Sequence, residues 1–253
     1  MPGATSLRPE PYCGPAPVPE TLLAAWNLDP VLIAAMATVG AVGAWRLRGA
    51  PDAGRRRSFG LAACVAVLAF LSPLCALSVA LFAARGLHHL LLIFALAPAL
   101  AIAFPWRHAA RTPALLALSI ALWAWHVPAV YAAAWDHVPV YWTMQAALIL
   151  TAWAFWSAIL SPGGRALGAR LGAGLHLAAL AGQMGLIGAI LTFAPRLLYP
   201  EHLGLTEAFG LGPLGDQQLA GLVMWVPGMV PVALAAGWML RVAWVQATEG
   251  EGA

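Results

Sequence analysis

The sequence predicts an all-α integral membrane bundle of seven transmembrane helices, and three observations carry that prediction. Apolar residues make up 62% of the 253 residues and charged residues only 9%, where a soluble domain carries charge on about a quarter of its positions. Mean hydropathy is correspondingly high at +0.80. Seven segments are long and apolar enough to cross a bilayer core as helices, and no segment shows the alternation over about ten residues that marks a membrane β-barrel.

The spans are expected at roughly 30–46, 59–79, 87–105, 113–131, 141–160, 173–194 and 218–240. The first is short, and the second runs on toward Phe82. Pro73 and Pro98 fall inside the second and third, Pro227 and Pro231 inside the seventh, and each predicts a kink. Membrane helices tolerate such kinks when neighbours satisfy the freed carbonyls. Gly182, Gly185 and Gly188 on the sixth are small residues that permit close helix approach. No internal repeat and no second domain is evident. The expected organisation is a Pro-rich extracytoplasmic tail (1–28), a membrane domain (29–245) and a short cytoplasmic tail (246–253).

The basic balance rests on 13 Arg with no Lys. Arg in the loops of a membrane protein sets its orientation, which accounts for the charge without a nucleic-acid partner. One set of loops holds Arg46, Arg48, Arg55, Arg56, Arg57, Arg107, Arg111, Arg165, Arg170 and Arg241, and the other holds Arg8, Arg85 and Arg196. The positive-inside rule therefore predicts a cytoplasmic C-terminus and, with seven spans, an N-terminus outside. The tail lacks the basic and apolar regions of a cleavable signal, and no apolar run precedes Cys13 as a lipid-anchored start would require. Cys13, Cys64 and Cys75 form no zinc pattern, and Cys64 and Cys75 lie about three helical turns apart, too far to bridge each other.

That topology brings polar groups from several helices to one outer depth. His88 and His89 open the third span, His126 lies near the outer end of the fourth, Gln145 is one turn into the fifth, and Asp216 opens the seventh. His137 and His202 fall in outer loops, and His108 and His176 at the inner face as ordinary interfacial residues. His88 is expected in the headgroup layer, with His89 turned to the bundle. His126, bracketed by Trp, should point inward to a partner. Asp216 reads either as the N-cap of its own helix or as a metal ligand, and its lone pairs allow both. Two imidazoles and a carboxylate suit a borderline divalent ion such as Cu(II) or Zn(II). Met224, two turns below Asp216, is a softer candidate, although Met in such a helix is more often packing. The candidate metal residues are thus His89, His126, Asp216, His88, Gln145 and Met224. Hydrolase chemistry finds no support: there is no nucleophile elbow, no HExxH and no phosphate-binding glycine loop.

Four stretches carry a resemblance. They are Leu87-His88-His89-Leu90-Leu91-Leu92 with Ala97-Pro98, Trp125-His126-Val127-Pro128-Ala129-Val130-Tyr131, Gly188 through Pro200, and Gly212 through Gly228. In order and spacing they resemble the multi-span CtaG-type cytochrome c oxidase assembly family, over roughly Ser72 to Trp244. The single-span copper chaperone of that name is a different protein. The resemblance implies a seven-helix protein of the bacterial inner membrane, not an enzyme, that helps mature a haem-copper oxidase and delivers or places copper. Its partners would be the lipid bilayer, an oxidase subunit and a periplasmic copper donor. His89, His126 and Asp216 match the family's polar positions. The chain departs at Arg85, where the family usually has His, and at Met144-Gln145, where it usually has Glu-His. His88 is one substitute for a lost imidazole, and an Arg85–Asp216 ion pair is the alternative to a metal. Two further readings stand beside copper delivery: a metal-free assembly scaffold, and a haem protein with His89 and His126 as axial ligands.

Overall fold

The computed structural model describes residues 10–49, 52–160 and 167–250. Among them the secondary structure is helical throughout, with no strand. Arg8 and Arg165, both part of the charge count, lie outside the described residues. The helices are α1 (Pro30–Leu47), α2 (Ala53–Phe70), α3 (Pro73–Ala80), α4 (Phe82–Leu91), α5 (Ala97–Ala103), α6 (Arg111–Trp125), α7 (Pro128–Asp136), α8 (Val138–Ile159), α9 (Leu167–Phe193) and α10 (Pro213–Gly250).

Five helices are long and apolar enough to cross a membrane, and the number rises to seven if each of two bent pairs is one span. Both bends follow from local sequence. Ser72 caps α3 through Leu74 N, with Pro73 in its first turn, and α2 and α3 meet at 43°. Pro128 opens α7 behind His126 and Val127, and α6 and α7 meet at 76°. Pro98 acts differently. A π-helical turn at Leu92–Leu96 joins α4 to α5 without ending the span. At the five-residue spacing of that turn Pro98 offers no N–H to the Ile93 carbonyl, which instead accepts from Trp156 Nε1 at 2.7 Å. Pro227 and Pro231 lie within α10, which continues to Gly250 and so runs into the expected tail.

Phe82–Ala103 is the central span, 61% buried against 17% for α1. Peripheral helices turn large apolar side chains outward, among them Val39, Trp45, Ile120, Leu175 and Leu234. That surface is what a lipid solvent requires. Small residues set the closest approach. A Cβ on Gly188 would lie 2.8 Å from the Gly221 carbonyl oxygen, and one on Gly228 would lie 3.1 Å from Met184 Cε. Gly188 and Gly221 thus let α9 and α10 touch backbone to backbone, whereas Gly182 meets nothing within 4 Å.

Candidate functional site

The site is built around the start of α4. Leu81 is extended (φ −123°, ψ 127°) and provides no side-chain cap, so the first amides of α4 need partners from elsewhere. Asp216 supplies them: Oδ2 accepts from Phe82 N at 2.6 Å and Oδ1 from Ala83 N at 3.1 Å. This corrects the expected cap. α10 begins at Pro213, so Asp216 sits within its own helix and caps a different one. The ion pair with Arg85 does not form either. Arg85 is 5% exposed, its Nε and Nη1 have no hydrogen-bond partner, and its Cζ lies 5.6 Å from the centre of the Tyr141 ring.

About two turns farther on, α4 presents the consecutive His88 and His89, and both are buried, at 0% and 4% exposure. His88 therefore does not sit in a headgroup layer. The reason is the central position of α4, which has neighbours on opposite flanks: Phe70 of α2 lies 5.3 Å from His88 and Trp125 of α6 lies 5.3 Å from His89, ring centre to ring centre. His88 and His89 are 5.9 Å apart, and His89 and His126 are 6.4 Å apart. Neither ring nitrogen of His88, nor His89 Nε2, has a hydrogen-bond partner. His126 ends α6 at the bend, where its Nδ1 lies 2.7 Å from the Leu122 carbonyl. A carbonyl only accepts, so Nδ1 carries the proton and Nε2 presents its lone pair. Its backbone oxygen accepts from Tyr199 Oη at 2.9 Å.

Gln145 on α8 is wholly buried and neither atom of its amide has a partner. Met224 is buried against Gly86, with its Cγ 3.6 Å from where a Cβ on Gly86 would stand. Asp216 lies at the other end of the series, about 10 Å up α4 from His89 at 1.5 Å per residue. The structure thus brings His88, His89 and His126 into one neighbourhood and leaves Asp216 apart. Among the described residues no group of three or more His, Cys, Asp or Glu is disposed to hold a metal ion.

Several residues at this end were not anticipated. Cys13 and Cys75 form a disulfide with Cα atoms 5.4 Å apart, while Cys64 is free and exposed. The signal for it was available, because the charge count puts both cysteines toward the same side. Tyr12 Oη donates to Asp29 Oδ2 at 2.6 Å, and Asp29 also caps α1 through Val31 N. The Tyr12 hydrogen bond, then the Val31 amide, holds the Asp29 carboxyl below the usual carboxylate range. Burial, then Asp29, pushes the Tyr12 phenol up. A cavity of about 10 Å³ lies beneath this strap, lined by Pro11, Tyr12, Arg85, Trp125, Tyr131 and Tyr141 among others. His202, in the loop before α10, places its Nε2 2.8 Å from Tyr131 Oη of α7. Burial, reinforced by the Arg85 charge, pushes His202 down to about 3.

A bundle of apolar helices long enough to cross a membrane, with buried polar side chains gathered toward one end, defines the class of protein, and those polar groups are its candidate site. The family model described as cytochrome c oxidase caa3 assembly factor (Caa3_CtaG) matches residues 108–247, and the chain belongs to that family. No curated protein and no solved structure matches the chain.

Proposed function

We propose that this cytochrome c oxidase assembly factor takes up copper as cargo at the end of the bundle where α4 begins and passes it to an oxidase subunit by ligand exchange. The observation that carries the reading is the pairing of His89 with His126. The first has an unpartnered buried Nε2, and the second has its Nδ1 proton committed to a carbonyl, the outer-shell arrangement usual for a ligating imidazole. A metal about 2 Å from an imidazole nitrogen lies roughly 3 Å from the ring centre, so ring centres 6.4 Å apart suit an ion shared between the two. His88 and Gln145 are further buried polar groups without hydrogen-bond partners, and Met224, packed against Gly86, is a softer one. Asp216 serves by fixing the start of α4.

We further propose that this end faces the outside of a bacterial inner membrane. The Arg distribution supports it, and so does the Cys13–Cys75 disulfide, since such bonds persist in oxidising compartments. A metal-free scaffold is the second reading, favoured by the engagement of both Asp216 oxygens with backbone amides and by the cation at Arg85.

Copper content of the purified protein tests the choice. We expect His89→Ala and His126→Ala each to lose most of the copper that wild type retains, and Asp216→Asn to keep it. Equal copper in all four proteins would sink the delivery reading in favour of the scaffold.

A further inference from the structure

A second polar feature lies at the opposite end of the central span. A cavity of about 550 Å³ opens there, lined by Arg46 at the end of α1, Arg55 in the first turn of α2, Arg107 between α5 and α6, and Phe104, Trp106 and Trp153 among others. Among the described residues no carboxylate lines it. Asp52, the acidic residue nearest in sequence to Arg55, is occupied in capping α2 through Gly54 N at 2.7 Å.

The walls are held in place. Arg55 Nε donates to the Ala103 carbonyl at 2.9 Å, which ties α2 to the end of α5. Trp153 Nε1 donates to the Phe104 carbonyl at 2.9 Å, and the Trp106 and Trp153 rings are 5.8 Å apart. Paired indoles at the ends of spans mark the headgroup depth of a bilayer.

We propose that this pocket binds the phosphodiester headgroup of an anionic lipid. Three guanidinium groups with no acid among them create a concentrated positive field, and Arg matches phosphate oxygens with paired hydrogen bonds. Basic pockets between membrane helices recognise anionic headgroups by this chemistry. The rim favours a lipid over a soluble phosphate. Trp106 is 47% exposed and Trp45, one residue before Arg46, is 66% exposed, so apolar surface runs from the pocket onto the face of α1 where acyl chains lie. Lipid bound here would tie α1, the least buried span, to the rest of the bundle.

The test is lipid titration of the full chain in detergent, read by native mass spectrometry and by thermal shift. Phosphatidylglycerol is expected to bind and to raise the midpoint, whereas phosphatidylcholine does neither. At about fivefold per arginine, Arg46→Gln/Arg55→Gln/Arg107→Gln should weaken phosphatidylglycerol binding by roughly a hundredfold. Arg48→Gln/Arg57→Gln, which removes charge from the same side but not from the pocket, should change it little. If the triple variant does not fold, Arg107→Gln alone should show the fivefold loss. Equal binding by wild type and pocket variant overturns the proposal, as does an equal loss in the Arg48/Arg57 variant, which would mean diffuse attraction. Displacement of the lipid by millimolar inorganic phosphate would identify a soluble phosphate site and overturn it too.

Discussion

Asp216 shows how a single carboxylate can be read correctly for depth and wrongly for partner. Its position before an apolar run marked it as a polar group at the mouth of a helix, and it is one. The amides it satisfies, however, belong to Phe82 and Ala83, more than 130 residues earlier in the chain. Replacing it by Ala leaves two buried N–H groups without acceptors. We expect a loss of about 2 kcal/mol, measured as a lower unfolding midpoint in detergent, and a smaller loss for Asp216→Asn, which keeps one acceptor. An unchanged midpoint in Asp216→Ala would remove Asp216 from the support of α4. His88 makes the complementary point. A histidine at the mouth of a span reads as interfacial until the neighbouring helices are known, and here Phe70 closes over it.

At the scale of elements, the breaks at Pro73 and Pro98 were legible, whereas the bend at Pro128 and the strap were not. Pro73, Pro98 and Pro128 sit where helices bend or change pitch, because a missing N–H and a fixed φ act through the immediate backbone. The N-terminal segment read as an irregular Pro-rich tail, and locally it is one. What turns it into a cover over Arg85 is a covalent bond to α3 and a hydrogen bond from Tyr12 to the cap of α1. The disulfide closes a separation of 62 residues, for which chain entropy gives about 4 kcal/mol. Cys13→Ser should therefore lower the unfolding midpoint and expose the segment around Tyr12 to protease. A variant as stable and as protected as wild type would show that the strap is held by its other contacts alone.

For the whole molecule, the proposed orientation puts the His89–His126 pair outside and the Arg46–Arg55–Arg107 pocket inside. A reporter active only outside the membrane should work when fused before Glu10 and fail when fused after Ala253, and a reporter active only inside should do the reverse. The opposite result would place both sites in the wrong compartments for their proposed ligands.

By itself the sequence determined the apolar helical class, the approximate spans, the helix breaks at Pro73 and Pro98 and the family. Each is local: hydropathy accumulates over about twenty residues, charge is counted loop by loop, and proline acts on its own turn. Only the tertiary structure decided which polar groups meet. Helices apolar on every face carry no periodic signal of which side is buried, so burial of both His88 and His89 could not be read from spacing. The Asp216 cap, the Cys13–Cys75 bond and the His89–His126 pairing all join segments distant in the chain, and packing around the central span brings them together.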